Sequence, residues 1–188
     1  MGINKPDVIR EFTAGTLRDI ERSRGVVFNP LETFLARLRE EGRPFAYITH
    51  EDDKQFMKLL SINSQVAILP VPNKFYVPES NNKGLKVQKV AQQVDLDEVI
   101  KKKFGIGGVD SIVGNAATDS GIAFAYFDLT KGRIRLFGRD YSYGWVRNTT
   151  PTRVGRWREK EGLTVGDWAS DDADPEVWLY RLLVPAQE

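Results

Sequence analysis

The spacing of apolar positions changes along the chain, and with it the kind of element each stretch predicts. Ile9, Phe12 and Ile20 keep roughly one face of a helix that opens near Pro6 and ends at Gly25, proline being suited to the first helical turn. Asn29-Pro30-Leu31-Glu32 reads as a capping box. Leu31, Phe34, Leu35 and Leu38 then follow at helical spacing until Gly42. Residues 45–48 are apolar and short, as a strand would be. Thr49 is placed to cap a third helix, with Glu51, Asp52 and Asp53 where the helix dipole favours anions and Phe56, Leu59 and Leu60 on its apolar side.

From Gln65 the pattern shortens. Residues 66–69, 74–77 and 85–90 are β-prone runs separated by Pro70, Pro72, Pro78 and the turn-rich residues 79–84. Asp95 and Glu98 form a second capping box, which predicts a helix through Ile100 to about Phe104, stopped by Gly105. Residues 105–120 read as a glycine-rich connection. Residues 122–127, 133–137 and 141–147 then read as consecutive antiparallel strands, 154–161 as a short helix, and 177–184 as a last strand. The fold class this predicts is α+β. A helical N-terminal part, 1–62, precedes a β-rich domain, 63–188, with a mostly antiparallel sheet or open pseudobarrel.

Composition narrows the chemistry. With 188 residues, 41% hydrophobic and 11% aromatic, the chain can bury an ordinary core. It has no cysteine, which excludes disulfides, thiolate chemistry and zinc sites of the finger or ribbon kind. No apolar run approaches membrane-spanning length and the N-terminus lacks a signal-peptide core, so a cytoplasmic, prokaryotic or phage protein without a membrane partner is expected.

The net charge of +1 conceals an asymmetry. Residues 131–160 carry Lys131, Arg133, Arg135, Arg139, Arg147, Arg153, Arg156, Arg158 and Lys160 against Asp140 and Glu159 alone. Beyond Gly162, Asp167, Asp171, Asp172, Asp174, Glu176 and Glu188 face the single Arg181. Tyr141, Tyr143, Trp145 and Trp157 lie among the cations. Arginine's planar fork suits phosphates and guanine edges, and interleaved aromatics suit bases, so a nucleic-acid surface is expected here. Alternation in Arg133-Ile134-Arg135-Leu136-Phe137 would put both arginines on one face of a strand.

The same segment carries a family resemblance. Residues 133–137, the polar-aromatic run from Asp140 to Asn148, and Trp157-x-x-x-x-Gly162-Leu163 leading to Gly166-Asp167 resemble the plant-type B-three DNA-binding domain. That seven-stranded open pseudobarrel also serves as the effector domain of some restriction endonucleases. The resemblance implies duplex-DNA contacts by Arg139, Tyr141, Ser142, Tyr143, Trp145, Arg147 and Asn148, on one of two arms that grip the major groove. Residues 74–89, with Lys83, Lys86 and Lys89, are the candidate for the other arm. Together with the charge pattern, the expected DNA-binding set is Arg133, Arg135, Arg139, Tyr141, Ser142, Tyr143, Trp145, Arg147, Asn148, Arg153, Arg156 and Arg158. Double-stranded DNA is the expected partner, read by a recognition module with no catalytic residue, cofactor or metal of its own. A fused catalytic domain or a protein partner would supply any chemistry.

Two other classes compete. Asp52-x-Lys54 superficially fits a magnesium-dependent nuclease using carboxylates between Glu51 and Asp128, yet it opens a well-capped helix where such motifs sit on strands. His50 is the only histidine, so paired-histidine cleavage chemistry is unavailable within one chain. Gly105-Ile106-Gly107-Gly108 follows a helix and lacks the lysine of a phosphate loop. The third class is a protein-interaction or virion component whose basic stretch docks on an acidic partner.

Overall fold

The apolar run after Asn115 folds as a helix, Ala116–Leu129, and the other elements are layered on it. The computed structural model describes residues 9–71, 74–137, 141–144, 152–158, 161–167 and 177–187. In chain order the helices are α1 (Ala14–Arg22), α2 (Leu35–Glu40), α3 (Lys54–Met57), α4 (Leu85–Val94) and α5, the helix just given. The strands are β1 (Val26–Phe28), β2 (Phe45–Ile48), β3 (Val66–Ile68), β4 (Val109–Ile112), β5 (Tyr141–Gly144), β6 (Thr152–Arg158), β7 (Gly162–Asp167), β8 (Val177–Trp178) and β9 (Leu182–Pro185). The fold is α+β, with two open sheets among the described residues.

Asn115 fixes the start of α5 by accepting the Thr118 N–H on Oδ1 at 2.8 Å, which satisfies a donor left open at a helix N-terminus. Residues 116–124 are all buried, as in a helix apolar on nearly every side. A connection over 105–120 and a strand over 122–127 are therefore corrected. Thr118, Asp119 and Ser120 are polar yet buried in the helix, and the short apolar run 121–127 after them has no period with which to separate a buried helix from a buried strand.

The first sheet, β1-β3-β9-β4, is antiparallel throughout. Alternation sends Val66, Ile68, Leu182 and Val184 to the α5 side. Ala67, Leu69, Leu183 and Val109 face the opposite way, onto Phe12, Ile20, Leu96 and Ile100. The second sheet, β2-β7-β6-β5-β8, is mixed, with β2/β7 and β5/β8 parallel. Its Val154, Trp157, Leu163 and Val165 cover the other side of α5. Helix α5 thus lies between the sheets. Each sheet also joins strands from both sides of residue 62, because β1 pairs with β3 and β2 with β7.

Several elements differ from the sequence pattern for identifiable reasons. Helix α2 begins at Leu35 without a side-chain cap, and the one-turn α3 is capped by Asp53, not Thr49. Residues 85–90 open α4, which runs into a π-helical segment, Asp95–Lys103, so Asp95 caps nothing. Residues 133–137 form a turn, not a strand: Leu136 and Phe137 are both buried, which alternating strand positions on a one-sided sheet would not allow. Thr130 Oγ1 folds that turn back by donating to the Tyr126 carbonyl at 2.9 Å and accepting the Ile134 N–H at 3.2 Å.

Residues 154–158 belong to β6, not to a short helix. Val154 and Trp157 share a face at helix-like spacing only because a bulge falls between Gly155 and Arg158, with Arg156 at φ +45°. The run 177–184 divides between β8 in one sheet and β9 in the other. No helix among the described residues is long and apolar enough to cross a membrane.

Candidate nucleic-acid interface

Sheet pairing brings part of the expected interface together. Strands β5 and β6 form an antiparallel pair with Tyr143 in register with Arg153, Ser142 with Val154 and Tyr141 with Gly155. The Arg153 side chain passes over Gly166 of β7, where a Cβ would lie 3.4 Å from its Nε. Because Val154 beside it is buried against α5, Arg153 takes the opposite face of the sheet. Arg156 is exposed at the bulge.

Arg135 is elsewhere. Its guanidinium lies 5.9 Å from the centroid of Phe127, a ring on the α5 side that packs on Trp157 at 4.9 Å. Arg133 is exposed in the turn after α5. Arg135 and Arg153 thus approach the sheet from opposite sides and do not line one concavity. Arg158 is placed at the end of β6. Arg139, Trp145, Arg147 and Asn148 lie outside the described residues.

A different basic surface is assembled from distant parts of the chain. An open groove of about 1840 Å³ is lined, among the described residues, by Arg10, Lys54, Lys58 and Lys89 and by the carboxylate of Glu32. Five side-chain amides, Gln55, Asn63, Gln92, Asn115 and Gln187, and Ser61 add to its polar lining, and Leu59, Leu60 and Ile62 give it an apolar wall.

Local structure fixes these positions. Asp53 Oδ1 accepts the Gln55 and Phe56 N–H groups at 2.8 and 3.2 Å, setting α3 so that Lys54 and Lys58, one turn apart, project from one side. Arg10 bridges Ser64 by its backbone. Asn115, while capping α5, donates from Nδ2 to the Leu60 carbonyl at 2.9 Å and so ties the loop wall to the helix. Lys89 and Gln92 sit three residues apart on α4. Gln92 is 7% exposed and its Nε2 is buried without a hydrogen-bond partner. A buried amide donor left open beside a basic groove is suited to an acceptor brought by a ligand.

The carboxylates weighed for metal-dependent cleavage do not converge. Glu51 accepts from Arg39 at 2.6 Å, Asp53 is spent on its cap, and Asp128 holds Arg43 through two hydrogen bonds of 2.9 and 2.6 Å. His50 Nε2 meets Asp167 Oδ1 at 2.8 Å. Among the described residues no three histidine or acidic side chains gather as a metal site would require. Of the groove's cations the sequence marks out Lys89, in the candidate second arm, and Lys54, in the Asp52-x-Lys54 pattern, but neither as part of this surface. Arg10 and Lys58 each stand alone in mixed-charge surroundings, and the signal that joins the four is the tertiary fold.

No protein-family model matches this chain, and no curated protein or solved structure matches it either.

Proposed function

We propose that the protein is a nucleic-acid-binding module, with duplex DNA as its first ligand, whose phosphate contacts lie in the groove between α3 and α4. The observation that carries this is that, among the described residues, Arg10, Lys54 and Lys58 line the groove together with five side-chain amides and the single carboxylate Glu32. Lysine, arginine, asparagine and glutamine side chains are the groups that hold backbone phosphates and set the register of a bound strand. The Asp53 cap of α3 and the Asn115 cap of α5 hold the walls that present them, which lowers the ordering cost. The site offers donors and positive potential, and its role is recognition.

A mobility-shift titration tests it, using random duplex, single-stranded DNA and RNA at 50 and 200 mM salt. Duplex binding is expected, with affinity falling by about tenfold or more over that interval for a few phosphate contacts. Absence of binding, or binding indifferent to salt, overturns it.

A further inference from the structure

Helix α4 turns a polar side inward and an apolar side outward. Gln88, Gln92 and Asp95 are buried, and Gln88 Nε2 donates to the Ser80 carbonyl at 2.6 Å. Val87, Val90 and Val94 share the opposite side and are 54, 63 and 57% exposed. We propose that this valine face is a dimer interface, on which α4 of a second copy packs antiparallel about a two-fold axis at Val90.

Spacing and residue type both point to a covered face. Positions i, i+3 and i+7 form the narrow seam that one helix offers another, not the broad stripe that packs on a sheet. Valine loses side-chain freedom in a helix, and on a face left in water no burial offsets that loss. Lone exposed apolar residues are ordinary, but three in a row make a contiguous patch.

Charge identifies the occupant. Lys83 lies seven positions before Val90 and Asp97 seven positions after it, with Lys83 exposed and Asp97 half-exposed. Gln93 Nε2 and Lys101 Nζ hold the Asp97 carboxylate in place, donating to it at 2.9 and 3.1 Å. A carboxylate has about four acceptor sites, so it can still take a lysine from outside. A two-fold axis at Val90 reverses the second helix and brings Lys83 of each copy to Asp97 of the other. Lys86 then lays its methylene stem along Val94 of the second copy. A parallel arrangement would set Lys83 against Lys83. A partner of one sign is repelled at one end of the face. A face with the two signs in reverse order is attracted at both ends, and a second copy of α4 supplies one.

The interface stands apart from the groove, which Gln92 lines from the side of α4 away from the valines. The dimer therefore holds whether or not the groove binds nucleic acid. One helix pair falls short of the roughly 800 Å² per partner of a standard interface, so the association is reversible.

Sedimentation velocity over about 5 to 500 μM tests this, with a dissociation constant of about 10–100 μM expected for so small an interface. Val90→Glu is expected to stay monomeric throughout, with the circular dichroism and melting point of the wild type because the position already faces water. Lys83→Glu and Asp97→Lys are each expected to weaken the dimer by about tenfold, since like charges then meet twice. An equimolar mixture of these two variants is expected to restore it, because each chain supplies the sign that the other lacks. A monomer at every concentration, whether the face stays bare or another part of the chain covers it, overturns the proposal. So does a dimer that persists in Val90→Glu, or a mixture that associates no better than either variant alone.

Discussion

Arg181 clasps Asp95 inside the protein, its Nε and Nη2 donating to Oδ2 and Oδ1 at 2.7 and 2.6 Å with both side chains at 5% exposure or less. The next residue back, Tyr180, reaches the other way and donates to Asp119 Oδ1 at 2.7 Å. The two therefore fasten the crossing between β8 and β9 to the π-helical segment on one side and to α5 on the other.

Truncating Arg181 leaves Asp95 buried and uncompensated. Arg181→Met is expected to lower unfolding free energy by about 3–5 kcal/mol, and Asp95→Leu in the same chain to restore much of it. Urea denaturation of the two single variants and the double variant measures this. Equal stability of the single and double variants would sink the pairing as the source of the effect.

Asp119 makes stability depend on pH. Burial pushes its carboxyl up to about 8 from 3.8, with the Tyr180 hydroxyl pulling the other way. The folded chain thus keeps a proton that the unfolded chain releases between those values. Stability is fully present below the unfolded value and falls as pH rises toward 8, by at most about 1.4 kcal/mol per pH unit. Asp119→Asn, neutral throughout, is expected to lack this decline when denaturation is compared at pH 5.5 and 8. Parallel profiles for variant and wild type would refute it.

How much of this was legible in the residues follows from which signals are local. Phe45, Val66 and the α+β class follow from short apolar runs and turn residues, whereas the cap of α3 was misplaced, because Thr49 and Asp53 are both capping residue types ahead of the same apolar turn and only the backbone chooses Asp53. Helix α5 did not, because its burial on both sides by separate sheets erases the period that marks a helix. Val154 and Trp157 mimic a helix because the bulge at Arg156 turns a strand's alternation back on itself. Among the functional candidates, Arg135 was visible as part of a basic run, but only its packing over Phe127 shows that it lies apart from Arg153.

Gly162 and Gly42 separate a clash from a conformational preference. Both have positive φ, +102° and +77°, but a Cβ at Gly162 would lie 2.1 Å from the Pro44 carbonyl oxygen, whereas none lies within 4 Å at Gly42. That carbonyl accepts the Leu163 N–H at 3.0 Å where β7 meets β2, so the backbone cannot retreat without opening the pair. Gly42→Ala is expected to cost about 1 kcal/mol, and Gly162→Ala about 2 kcal/mol or more. Thermal denaturation distinguishes them, and similar melting points would contradict the steric account.

Lys54 and Lys58 decide whether the groove, or the basic run at residues 131–160, carries the phosphate contacts. Each lysine that neutralises a phosphate releases condensed counterions and adds about one to the slope of log affinity against log salt. Replacing both by glutamine keeps α3 intact, since the cap comes from Asp53 and the apolar anchors are Phe56 and Met57. Lys54→Gln with Lys58→Gln is therefore expected to flatten the duplex-DNA salt slope by about two, while Arg133→Gln, exposed in the turn after α5, leaves it unchanged. A flattened slope in Arg133→Gln with an unchanged one in the double variant would move the interface to the arginine-rich segment, because only there would a cation have been removed from a phosphate.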